Sequence, residues 1–215
     1  MHGWIDQPEN VDIAIFSGDE SNSRDPYQNE QESLSFLEWY SVGFKAKQKI
    51  FIAGNHSTAI AKGLITKKQI EKKGIIYLEN SSVEIEGLKI WGSPITPTFG
   101  DWSFMRDRDK LNKLWQGIPS DSDIVIVHGP PKTVLDLSYN RVNELEFCGC
   151  SALLKRMLDI QPKLMCFGHI HNNKDIINSG TKVLANCKTI FSNGSCVTDG
   201  RFNYGLTSKG NIFEI

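Results

Sequence analysis

Short apolar runs rich in Ile, Val and Phe recur along this chain, and four of them stop abruptly at polar residues able to bind a metal. Asp12–Ser17 runs into Gly18-Asp19, and Lys49–Ala53 runs into Gly54-Asn55-His56. Asp123–Val127 meets His128-Gly129-Pro130-Pro131, and Lys163–Phe167 meets Gly168-His169-Ile170-His171. Brief β-branched and aromatic runs bounded by turn residues read as buried strands. Amphipathic segments lie between them: Glu30–Phe44 carries Leu34, Leu37 and Tyr40, with Phe36 and Phe44 beside them, at roughly helical spacing. Met105–Gln116 and Cys150–Ile160 also read as helices. Ile75–Leu78, Ser82–Glu86 and Leu88–Gly92 read as shorter strands, with Glu86-Gly87 as a hairpin turn. From Asp175 to Ile215 the pattern predicts short strands joined by Asn-Gly, Asp-Gly and Lys-Gly turns. Strands outnumber helices, so the expected class is α/β, with two packed sheets flanked by helices in a four-layer α/β/β/α sandwich. Loops beyond strand ends are where such folds build sites.

With 215 residues and no repeat, low-complexity stretch or linker, residues 1–215 are expected to form one domain. A formal net charge of −1 leaves no footprint for nucleic acid or anionic membrane. No segment has the length of a membrane span and the N-terminus lacks a signal-peptide core, so a soluble, cytoplasmic protein is expected. The five cysteines are odd in number. Cys148-Gly149-Cys150 has the look of half a zinc site, but no second pair stands at the required spacing. A structural role for the cysteines is the favoured reading.

Each polar strand end is a weak signal alone. Together they are stronger: four of the five histidines fall in these segments, and the fifth is His2. In Gly168-His169-Ile170-His171, two imidazoles two residues apart can address two adjacent cations.

The order Gly18-Asp19, Gly54-Asn55-His56, His128 and Gly168-His169-Ile170-His171 resembles the calcineurin-like metallophosphoesterases. That family's signature runs Asp-x-His, Gly-Asp, Gly-Asn-His-(Asp/Glu), His, Gly-His-x-His. The sequence looks most like its small phosphodiesterase branch with a His-Gly-Pro-Pro element. The likeness extends to Trp91-Gly92-Ser93-Pro94 and Asn193-Gly194-Ser195. It implies a phosphoester hydrolase using water activated at a dinuclear site, with Asp19 bridging two divalent cations. Asn55, His128 and His169 would complete the second metal, and His171 with His2 would serve the first. His56 would donate a proton to the leaving oxygen, and Asn55 and His56 would contact the substrate. Mixed N and O ligands suit Mn, Fe or Zn better than Ca. Two such cations clamp a phosphoryl group and lower the pKa of a shared water.

Two departures qualify the resemblance. Ser57 stands where the family usually has Asp or Glu, which implies tuning of the neighbouring groups and not loss of the site. The chain begins Met1-His2-Gly3, so the first motif's Asp and its strand are not among these 215 residues. Met1 as an internal methionine and a naturally shortened protein with a weak or empty first site both stay open. A phosphomonoesterase or phosphoprotein phosphatase and a non-catalytic metal-binding relic are the alternative functions. Lys67, Lys68, Lys72 and Lys73 read as a solvated helix face rather than a phosphate patch. Trp91, Phe99, Trp102 and Phe104 read as packing, with a substrate-lining role open. Arg141, with Asn140, lies either in a surface loop or against the phosphate.

Overall fold

A computed structural model describes residues 11–140, 142–173, 175–198 and 205–215. In chain order the elements are β1 (Val11–Phe16), α1 (Pro26–Glu38), β2 (Ala46–Phe51), α2 (Thr58–Ala61), α3 (Lys67–Glu71), β3 (Ile76–Tyr77), β4 (Ser81–Ile85) and β5 (Leu88–Ser93). Two short strands, β6 (Thr96–Pro97) and β7 (Met105–Arg106), precede α4 (Arg108–Gln116) and β8 (Ile124–Val127). Then follow β9 (Leu137–Tyr139), β10 (Leu145–Phe147), α5 (Ser151–Ile160), β11 (Leu164–Phe167), β12 (Gly180–Val183) and β13 (Ile190–Asn193).

Strands β1, β2 and β3 form one parallel sheet. A six-stranded sheet has the order β12-β13-β11-β8-β5-β4, parallel from β13 to β5 and antiparallel at both edges. Period-2 alternation sorts the side chains into layers. In β2 and just beyond it, Ile50 and Ile52 face the larger sheet, while Phe51 and Ala53 face α1 and α2. In β8, Ile124 and Ile126 join that inter-sheet layer, while Val125 and Val127 pack with Leu111, Trp115, Leu153 and Met157 of α4 and α5. The result is the expected order: helices, sheet, sheet, helices. Central strands buried on both faces need apolar residues throughout, which is why β8 reads Ile-Val-Ile-Val.

Several local expectations change. Helix α1 starts at Pro26, not Glu30, because Asp25 caps it by accepting from the Gln28 N–H at 2.9 Å and proline suits the first turn. Its last turn widens into a π-helical turn over Trp39–Gly43. Leu34, read as core, is exposed; the buried stripe is Asn29, Ser33, Phe36, Leu37 and Tyr40. Helix α4 starts at Arg108 because Met105 and Arg106 pair with Thr96 and Pro97 instead. Glu86 and Gly87 both have positive φ, as the hairpin joining β4 to β5 demands. Asn193-Gly194, by contrast, ends β13 without making a hairpin.

Candidate metal centre

The C-terminal ends of β1, β2, β8 and β11 open on one side of the two sheets, and each delivers a polar residue there. Backbone bonds continue the ladders beyond the strands: Ile52 N–H to Phe16 O at 3.1 Å, His128 N–H to Ser93 O at 3.2 Å, Gly168 N–H to His128 O at 3.0 Å. These fix the loop roots. Two site residues, Asp19 (φ 64°) and His169 (φ 69°), lie in the left-handed region that L residues avoid, a strain that sites often carry. Gly54 is required by close approach: a Cβ there would stand 2.4 Å from Asp19 Oδ1 and 2.6 Å from His128 Cε1.

Asp19, His128 and His169 bring one ligand atom each to within 4.8 Å of one another. Asn55 joins them, its Oδ1 lying 3.0 Å from His128 Nε2, and Asp19 Oδ2 lies 3.2 Å from the same nitrogen. The tautomer of His128 follows from its other nitrogen. Nδ1 is 2.8 Å from the Ser17 carbonyl, which only accepts, so Nδ1 carries a proton. Nε2 therefore meets two oxygen acceptors with a lone pair, unless a proton or a metal cation lies among them. This donor set of carboxylate, amide oxygen and two imidazoles fits a divalent transition metal.

The electrostatics agree. Burial would raise the Asp19 carboxyl, but the adjacent His128 outweighs it and holds the group well below the usual carboxylate range. Burial likewise opposes charge on His128, yet Asp19 more than compensates and moves that imidazole upward. His169, buried and facing His128, is pushed down to about 3 and stays neutral.

The remaining sequence-derived residues fall in different places. His56 donates its backbone N–H to Asp19 Oδ1 at 2.9 Å, while its side-chain Nδ1 is buried without a hydrogen-bond partner among the described residues. His171 stands outside the Asp19–His128–His169 group but near enough for its charge to act on His169. His2 and Arg141 lie outside the described residues. Cys148 and Cys150 do not pair as ligands: the Cys150 thiol accepts from Trp115 Nε1 in the core, and the Cys148 thiol turns to Glu146. The aromatic group divides: Trp91 is core, Phe104 packs partly against it, Phe99 is exposed beside His169, and Trp102 lies against His56. The lysine face is solvated, with Lys67 paired to Glu71 and Lys73 to Glu38.

Three supporting residues were given no role in the sequence reading, although Asn193 stands within the family likeness. Buried Glu20 accepts from Ser33 Oγ at 2.8 Å and Ser57 Oγ at 2.5 Å, and Ser57 Oγ accepts in turn from the Gly54 N–H at 2.8 Å. A carboxylate from β1's end thus braces the Asn55–His56 loop at the position where Ser57 replaces an acid. Asn29 Nδ2 donates to the Ser23 and His56 carbonyls at 2.8 and 2.7 Å, and its Oδ1 accepts from the Ala59 N–H. Asn193 Nδ2 donates to Leu135 O at 3.1 Å and Ile170 O at 3.0 Å, steadying the segment between His169 and His171. Asn29 and Ser33 on the buried stripe of α1 were the legible clue: polar residues at core positions need partners.

Comparison with known proteins agrees with the geometry. Residues 2–173 match the family model for calcineurin-like phosphoesterases. Human metallophosphoesterase domain-containing protein 1 is 31% identical over 81% of this chain and 59% of its own length. A UPF0046 protein of Caenorhabditis elegans is 29% identical over 81% of this chain and 61% of its own. A probable rhamnogalacturonate lyase C of Emericella nidulans is 33% identical over 74% of this chain, but only 15% of that protein is covered. The chain thus spans at most about three-fifths of these relatives. Among solved structures, phosphopantetheinyl hydrolase of Mycobacterium tuberculosis shares the fold with a TM-score of 0.57 at 12% identity, over 89% of this chain and 80% of that one. With most of its length matched and its polar strand ends gathered at one place, the chain belongs to the calcineurin-like phosphoesterase family.

Proposed function

We propose that this protein is a metal-dependent hydrolase of phosphoesters, with phosphodiesters as its preferred substrates. The carrying observation is the convergence of Asp19, Asn55 and His128, whose oxygen and nitrogen atoms face one another around the position that a proton or a cation would fill. Asp19, Asn55, His128 and His169 would hold one divalent cation, and Asp19 with His171 would contribute to a second; Mn, Fe and Zn suit these donors. Bound there, such cations supply Lewis-acid activation of the phosphoryl group and of a water nucleophile.

The chain's own residues do the rest. Ser17 fixes the His128 tautomer through its carbonyl, and the Asp19 carboxylate stays ionised at any working pH. His56, tied by its backbone to Asp19 and by Asn29 to α1, presents its ring at the edge of the centre and protonates the departing oxygen. Asn55 and His56 then border the phosphate, with Arg141 a further candidate for contacting it.

The test is turnover of bis-p-nitrophenyl phosphate and p-nitrophenyl phosphate with Mn(II) supplied or chelated. Mn-dependent release of nitrophenol, faster from the diester, is expected. Preference for the monoester would favour the phosphomonoesterase reading, and no hydrolysis of either would contradict the enzyme assignment.

A further inference from the structure

Beside His56 the structure carries a stack that the hydrolytic machinery does not use. The Arg24 guanidinium carbon lies 3.7 Å from the centroid of the Trp102 ring, and that ring lies 4.4 Å from the His56 ring at an interplanar angle of 41°. Arginine is exposed here and forms no ion pair among the described residues. Stacking on an aromatic face holds a guanidinium in one orientation and leaves its edge N–H groups free, in a fork that matches carboxylate or phosphate oxygens.

The arm is built rather than loose. Glu32 gathers its loop by accepting from Ser21 Oγ at 3.1 Å, from the Asn22 N–H at 2.8 Å and from the Ser23 N–H at 3.0 Å. The single Asn29 amide bonds both Ser23 O, next to Arg24, and His56 O. Trp102 is tied from the other side, since the Ser103 N–H donates to Asn55 O at 3.2 Å. Arg24, Trp102 and His56 are therefore referenced to the same loop, so a substrate spanning them meets a fixed geometry.

We infer that Arg24, stacked on Trp102, recognises a second anionic group, a carboxylate or a further phosphate, on the leaving-group side of the phosphoester. The side follows from the proposed role of His56 at the leaving oxygen, so the inference rests on the phosphoesterase reading. Arg24 and His56 both pack on the Trp102 ring, so an anion held by Arg24 lies next to the group placed at the departing oxygen.

The experiment compares the diester methyl phenyl phosphate with its 4-carboxy and 4-phosphonomethyl ring derivatives, the phosphonate standing in for a phosphate, with Mn(II)-supplied protein, as wild type and as Arg24→Ala. The substitution should lower kcat/KM for a derivative carrying the second anion about ten-fold more than for methyl phenyl phosphate, the loss expected of a charge-assisted hydrogen bond. Whether the carboxylate or the phosphonate responds identifies the group. Wild-type preference for that substrate should also shrink as salt rises. A second readout needs no turnover: quenching of tryptophan fluorescence by 4-hydroxybenzoate and by phenol, the leaving groups of the 4-carboxy and the unsubstituted substrate. Arg24→Ala should weaken the first about ten-fold more than the second. Equal losses across all substrates and unchanged binding would overturn the inference. Absence of turnover with the binding difference intact would instead count against the phosphoesterase reading and leave Arg24's role standing.

Discussion

His56 shows what single residues at this centre do. Its backbone N–H is committed to Asp19, while Nδ1 sits buried with no partner among the described residues, an arrangement kept only where a group must meet something else. His56→Ala should lower turnover of substrates with poor leaving groups by about 100-fold, the usual scale of general acid catalysis, while bound metal is retained. The loss should shrink for nitrophenyl esters, which leave without a proton. Parallel loss of metal, measured by elemental analysis, would make His56 a ligand and contradict the role. At this scale the sequence was informative about Asp19, Asn55, His128 and His169, since each follows an apolar run at a strand end. It was silent about Glu20 and Asn29, whose partners lie 37 and 27 residues away for Ser57 and the His56 carbonyl. A buried polar side chain announces a need for partners but not their identity, which tertiary packing decides.

Elements were legible in proportion to how far burial dictated their composition. Strands β5, β8 and β11 are apolar because both faces are covered, and their expected limits hold within a residue or so. In the last quarter the short strands β12 and β13 were legible and Asp199-Gly200 lies outside the described residues, but the Asn193-Gly194 turn was misjudged, because its asparagine is spent on other contacts. Asn193 accepts from the Ser195 N–H at 2.9 Å and bonds the carbonyls of Leu135 and Ile170, so it ties the end of β13 to two loops. Asn193→Ala leaves two part-buried carbonyls unmet and should cost about 1 kcal/mol, read by chemical denaturation. Metal affinity should fall with it, because Ile170 separates His169 from His171. A neutral substitution would show that the segment is held by other means.

Among the described residues, the parallel strands of the two sheets aim their C-terminal ends at one place. Among the described residues no helix is long and apolar enough to cross a membrane. The centre's charge state gives the account its most exposed consequence. Asp19 raises the affinity of His128 for a proton, and a cation must take the position of that proton at Nε2. Metal affinity should therefore fall as pH drops through neutrality and below, with His169, held neutral, adding no competition. His128→Gln should abolish tight binding, whereas His171→Ala, outside the three-residue group, should leave one tight ion in place. Titration calorimetry of Mn(II) near pH 7, in two buffers of different ionisation enthalpy, measures this directly. The account predicts tight binding accompanied by proton release, both lost in His128→Gln. Binding without proton release, or binding unchanged by that substitution, would contradict the assignment of the metal centre.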